Sequence, residues 1–140
     1  TVNIVTRQPE LVQRVRGEFG IGTDNFYRGT ADFNQVIDAD NGVAGRITVM
    51  GHSADEPGRD QVNNRRWAIA PSLGFGIGQD TSFIVNYLHL EQDDQPDLGI
   101  PNARNPSLAG SGLEGRPAPV DRDNYYGYST DYRNVVTDTV

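Results

Sequence analysis

The chain has 140 residues, of which 36% are hydrophobic, and a net charge of −7. The length suits one domain or part of a larger one. The acidic balance argues against a nucleic-acid partner, which selects a basic stripe, and the lack of cysteine excludes disulfide scaffolds and thiolate metal sites.

The apolar residues are scattered, and no run of about 18 of them forms a membrane-crossing helix. A membrane-crossing strand needs only about 9–11 residues, and only every second one must be apolar. Residue 1 is Thr, no signal peptide precedes it, and Thr139-Val140 ends the chain inside a strand-like run. These features predict a segment of a longer precursor whose targeting segment lay upstream.

Alternation with a period of two runs through the chain, and no stretch has a helical period. Thr1 to Thr6 reads as a short strand ended by Pro9. Val12 to Gly22 follows, with Val15, Gly17, Phe19 and Ile21 opposite Arg14, Arg16, Glu18 and Gly20. Phe26 to Ile37 sets Arg28, Thr30, Asp32 and Asn34 against Tyr27, Gly29, Ala31 and Phe33. Asp38 to Gly42 contains Asn-Gly, a turn signal that reverses the chain. Val43 to Ser53 places Ile47 and Val49 opposite Arg46, Thr48 and His52. Arg66 to Gly76 puts Trp67, Ile69, Pro71, Leu73 and Phe75 on one face. Thr81 to Leu90 is the last clear run, with Phe83, Val85 and Tyr87 together.

Two features separate a barrel wall from a soluble sandwich. Val43–Ser53 and Arg66–Gly76 are eleven residues each, whereas strands of soluble proteins usually hold about five or six. Connections also alternate in length. Asp38–Gly42 and Gly76–Thr81 are tight, Ala54–Asn63 is longer, and Glu91–Asn124 is much longer. Outer-membrane barrels have short periplasmic turns and long external loops. Gly22–Asn25 departs from that trend, being short and external. The reading is all-β: a curved antiparallel sheet of about five to six strands from a transmembrane barrel. Apolar faces meet lipid, polar faces line the lumen, and Trp67 and Tyr87 near strand ends belong to an aromatic girdle. A sandwich also alternates, so a soluble secreted binding module stays open at this point.

Weak motifs resolve to bland readings. Gly74, Gly76 and Gly78 alternate along a strand, whereas a phosphate-cradling loop needs a strand-to-helix turn. Asp38, Asp40 and Gly42 lack the spacing and distal Glu of a calcium loop. His52 and His89 sit in separate strands without a second local ligand, so no metal site is assigned. No nucleophile-elbow string suggests catalysis.

Specific strings carry a resemblance. Thr1-Val2-Asn3-Ile4-Val5-Thr6-Arg7-Gln8-Pro9 resembles the segment closing the plug domain of TonB-dependent receptors. Arg28-Gly29-Thr30-Ala31-Asp32-Phe33-Asn34 resembles an early barrel strand of the family's siderophore receptors. Gly58-Arg59-Asp60, Asn64-Arg65-Arg66-Trp67 and Ala70-Pro71-Ser72-Leu73 look like the next block. Tyr87 to Asp93 leads into Pro96-Asp97-Leu98-Gly99-Ile100-Pro101, and Pro119-Val120-Asp121-Arg122 and Asn124-Tyr125-Tyr126-Gly127 follow. The combination is most similar to catecholate-siderophore receptors.

The resemblance implies residues 1–11 as the end of a plug and 12–140 as the first part of a barrel of about 22 strands. It implies a receptor and transporter in the Gram-negative outer membrane, not an enzyme. A ferric siderophore is its cargo, and it has no resident cofactor. The TonB complex supplies energy through a segment absent from this chain, and outer-membrane lipid surrounds the wall. A general porin-like barrel is the alternative, against which the plug-closing string counts. Ferric tris-catecholates are compact anions with aromatic rings, and Arg offers fixed charge and stacking. Arg59, Arg104, Arg116, Arg122, Tyr125 and Tyr126 are therefore the candidate ligand residues. Pairing of these arginines with Asp60, Asp97, Asp121 or Asp123 is the plainer reading. Arg14, Arg16, Arg28, Asp32 and Arg46 are read as lumen residues that contact the plug.

Overall fold

A computed structural model describes residues 7–102 and 116–140. The expected strand Thr1–Thr6 and the candidate Arg104 lie outside the described residues. The strands are β1 (Arg14–Ile21), β2 (Tyr27–Asp38), β3 (Val43–Asp55), β4 (Asn63–Phe75), β5 (Phe83–Asn86), β6 (Leu88–Gln95) and β7 (Arg133–Thr139). All pairings are antiparallel, in the order β1-β2-β3-β4-β6-β7, with β5 also on β4. No helix occurs among the described residues.

The run expected over Thr81–Leu90 extends to Gln95 and is interrupted at Tyr87. The cause is Pro71 in the facing strand. Tyr87 N–H donates to the Pro71 carbonyl at 3.0 Å, but Pro71 has no N–H to return. The register continues across the gap, with Ser72 facing Asn86 and Ile69 facing His89. β5 and β6 thus act as one strand, and the open sheet has six.

Alternation decides which face is which. Asp32, Asn34, Ala44 and Arg46 are buried on one face, where residues 7–12 cross the sheet. The opposite face carries Val15, Phe19, Phe33, Ile47, Trp67, Leu73 and Phe75, all exposed, with Val15 and Phe19 at 75%. Only Ala44, Ala54 and Val62 are buried hydrophobics among the described residues. A soluble sandwich would bury such a face in a closed core; here it is bare, as a lipid-facing wall requires. β3 and β4 have 13 residues each. At about 3.3 Å per residue they exceed the roughly 25 Å apolar band of an outer-membrane barrel.

Trp67 lies in the body of β4, because that strand starts at Asn63 rather than Arg66. It shares a cross-strand row with Gly51, Gly29 and Phe19, two residues short of the end of β1. Trp67 is therefore near the outer end of β1, below the tip of the first hairpin, while β3, β4 and β6 run further outward. Its Nε1 donates to Glu91 Oε2 at 3.0 Å.

The two tight turns are joined. Gly42, at φ 65°, accepts a hydrogen bond from Ile77 N–H at 2.9 Å, and Gly76 N–H donates to the Asn41 carbonyl at 3.3 Å. A Cβ on Gly76 would stand 2.2 Å from the Thr81 carbonyl oxygen, so both φ and space demand glycine.

Candidate functional site

Two polar assemblies stand out, one on the inner wall and one at the external end. The first begins with Arg46 on β3 and Asp32 on β2. Arg46 Nε and Nη2 donate to the two Asp32 oxygens at 2.8 and 2.6 Å. Both residues are 5% exposed. Such a pair is tolerated only where the remaining donors and acceptors are also met. Residues 7–12 meet them. Arg7 Nη1 donates to Asp32 Oδ2 at 2.8 Å, and Arg46 Nη1 donates to the Gln8 carbonyl at 2.8 Å and to Glu10 Oε1 at 3.2 Å.

Asn34 completes the latch. Its Oδ1 accepts from Glu10 N–H at 3.0 Å, and its Nδ2 donates to the carbonyls of Glu10 at 2.7 Å and Val12 at 2.6 Å. The amide reads the entering backbone almost as a paired strand would. Arg14 adds an ion pair to Glu10 at 3.2 Å. Of the five expected lumen residues, Asp32, Arg46 and Arg14 therefore meet the incoming segment. Arg16 instead pairs with Glu18 on its own strand at 2.7 Å, in the open. Arg28 sits exposed toward the external end, opposite His52, and makes no side-chain bond among the described residues.

The second assembly joins the β3–β4 and β6–β7 connections. Gly58 and Gln61, both at positive φ, fold the first into a tight loop. Arg59 reaches from it. Nη2 donates to Asp97 Oδ1 at 2.5 Å, and Nη1 donates to the Arg122 carbonyl. Alongside, Asp60 N–H donates to the Asp123 carbonyl at 2.6 Å. Gly99 N–H donates to the same Asp97 oxygen at 2.8 Å. That amide, and then the Arg59 guanidinium, hold the Asp97 carboxyl below its ordinary 3.8.

Between the two connections lies an open cavity of about 850 Å³, lined by Arg59 and Arg122, by the acids Glu56, Asp97 and Asp123, and by apolar Ile100, Pro117 and Val120. Asp97 is taken up by Arg59, so Arg122 beside the apolar lining is the group that offers charge and stacking to an anionic ligand with aromatic rings, with Glu56 and Asp123 opposing it. Of the candidate ligand residues, the cavity brings together Arg59 and Arg122. Arg116 is exposed beside the bridge between Asn102 and Pro117. Tyr125 and Tyr126 do not line the cavity. The Tyr125 hydroxyl is buried with no partner among the described residues, and the Tyr126 hydroxyl accepts from Asn124 Nδ2 at 3.4 Å.

Arg7, Glu10 and Asn34 as latch residues escaped the sequence reading. The usable signal was a run of inward polar residues, Asp32, Asn34 and Arg46, at mid-strand positions that must be covered by something polar.

No family model matches the chain. It is 38% identical over 143 aligned residues to the catecholate siderophore receptor Fiu of Escherichia coli K12, covering 99% of this chain and 19% of that protein. It is 35% identical over 129 residues to a probable TonB-dependent siderophore receptor, PiuA, of Acinetobacter baumannii, covering 91% of this chain and 17% of the relative. The chain thus spans about a fifth of the length of the curated relatives it matches. The crystal structure of the ferric-catecholate import receptor Fiu from E. coli K12, in an open form, superposes with a TM-score of 0.82 over 95% of this chain and 21% of that one. The crystal structure of PiuA from A. baumannii gives 0.79 at 32% identity, over 95% and 18%.

Proposed function

The chain belongs to the TonB-dependent siderophore receptor family, matching one segment of its members, and we propose that the whole protein imports ferric siderophores of the catecholate type across the Gram-negative outer membrane. The observation that carries this reading is the latch. An entering segment, residues 7–12, is bound to the polar face of a sheet whose other face is apolar and bare. That is what the exit of a plug domain into the first strand of a lipid-embedded barrel requires. Residues 1–11 then end the plug and 12–140 begin the barrel wall.

The protein acts as a receptor and transporter, not an enzyme, and needs no resident cofactor. The ferric siderophore arrives from outside, where Arg59, Arg116, Arg122, Tyr125 and Tyr126 stand on the external connections, with Arg104 in the same stretch of sequence. TonB supplies the energy for inward release. A porin-like barrel has no use for a latch that holds an incoming chain against its inner wall. A soluble module has no use for an uncovered apolar face.

The test is iron uptake by the full-length receptor in a bacterium lacking its own siderophore receptors. Radioactive iron presented as ferric catecholate enters only when TonB is present. Uptake with hydroxamates instead would keep the family and overturn the ligand class. Uptake without TonB would defeat the proposal.

A further inference from the structure

We propose that Arg59 is a positioning residue: it clamps the β3–β4 connection to the β6–β7 connection and so fixes the shape of the external cavity, rather than serving as the ligand's counter-charge. This rests on the reading of that cavity as a site for an anionic ligand. Arg59 is a cation on the cavity wall, and a ligand contact is the first idea it suggests. Its geometry points elsewhere. The side chain is only 12% exposed. Its two terminal nitrogens are taken by acceptors that lie 25 residues apart in sequence, Asp97 Oδ1 and the Arg122 carbonyl. Its Nε is buried and has no partner among the described residues.

The clamp is reinforced on both sides. Asp60 N–H to the Asp123 carbonyl, at 2.6 Å, is a second tie between the same two connections. The Gly99 amide, with Gly99 at φ 72°, holds Asp97 from behind. Further on, Ala118 N–H donates to the Pro101 carbonyl at 3.0 Å, tying the start of the long connection to its later part. Arg59 thus stands where three stretches of chain meet. Arg122 differs: among the described residues only its carbonyl is engaged, and the residue is exposed on the same rim. Of the two arginines that line the cavity, Arg122 is the one that presents its charge to a ligand.

A planar guanidinium can span two acceptors at fixed angles, and a lysine ammonium cannot do so in the same geometry. The Lys variant therefore separates positioning from charge. The experiment uses the full-length receptor in detergent, as wild type and as Arg59→Lys, Arg59→Ala, Asp97→Asn and Arg122→Ala. Amide hydrogen exchange over residues 97–101 and 117–123 is read without ligand. Affinity is then read by fluorescence quenching with a synthetic ferric tris-catecholate.

Both Arg59 variants should speed exchange and weaken binding by roughly ten- to hundredfold, as loss of a charge-assisted contact implies. Asp97→Asn should act in the same direction, and Arg59→Lys combined with Asp97→Asn should be no worse than the worse single variant. Arg122→Ala should weaken binding without speeding exchange. Wild-type exchange in both Arg59→Lys and Asp97→Asn would overturn the clamp, as would rescue of affinity by Lys alone. Faster exchange with unchanged binding would uphold the clamp and sink the cavity as the ligand site, so the two failures are distinguishable.

Discussion

The latch and the clamp are both built on an arginine that ties separate stretches of chain together, yet they belong to different kinds of structure. Arg46 lies in a strand, 14 residues from Asp32, and the ladder puts both on one face of adjacent strands. Arg59 lies in a loop, 38 residues from Asp97, and no ladder brings them together. The latch therefore inherits its geometry from strand register, while the clamp makes its own. Burial follows the same division: the latch pair is almost fully covered, whereas Asp97 remains open to water. A contact held by register and covered from water should be strong and insensitive to conditions. One made by loops in water should be weaker and easily tuned.

The largest effect should come from removing one half of the latch. Arg46→Ala leaves buried Asp32 with Arg7 as its one cation among the described residues and a long contact from the Thr48 hydroxyl, and losing one partner of a buried pair costs about 3–5 kcal/mol. The expected result is a fall of that size in the unfolding free energy of the full-length receptor in bilayers. Ile47 sharpens the contrast, since it is the next residue and points to the opposite face. Ile47→Arg should cost about 2–4 kcal/mol in a bilayer if that face meets lipid near the midplane. It should cost far less in detergent that can rearrange around the charge. Equal cost in the two media would count against a lipid-facing wall.

Strand register also explains what could be read in advance. The faces of β1 to β4 follow from alternation, because one residue of slip would turn Phe33, Ile47 and Leu73 inward. The Asp38–Gly42 reversal was legible because the Asn-Gly pair favours left-handed backbone, and Gly42 adopts it. The break at Tyr87 was not legible, since it is caused by Pro71 in another strand. Nor was the role of Asn34, which depends on where Glu10 and Val12 cross the wall. Pairing of the loop arginines with Asp97 was one of two readings, and the sequence could not choose between them. The choice depends on which loops approach one another, and no periodicity encodes that.

Acid should distinguish the clamp from the latch. The Asp97 carboxyl is held below its usual 3.8 by Gly99 N–H and Arg59. A lowered folded-state value means the carboxylate's contribution is complete above 3.8 and is lost as pH falls through the lower, folded value. Protection of the Gly99 amide, taken relative to its intrinsic exchange rate at each pH, should therefore fall only well into acid, below pH 3.8, and Asp97→Asn should show the same reduced protection at neutral pH. Gly99 protection unchanged by both acid and the substitution would remove the carboxylate from the clamp.

The smallest effect belongs to Arg16, and it tests the comparison from its weakest side. Arg16 faces the lumen beside the latch, and a sequence reading groups it with Arg46. Its partner Glu18 is on the same strand at 2.7 Å, and both side chains are more than half exposed. Two charges in water gain little by meeting, and holding two long side chains together costs entropy, so the pair is worth under about 1 kcal/mol. Arg16→Ala should leave receptor unfolding within that margin, and added salt should erase the remainder. A loss near that of Arg46→Ala would mean that Arg16 holds a covered contact with the plug, and the latch would then extend along β1 beyond Arg14.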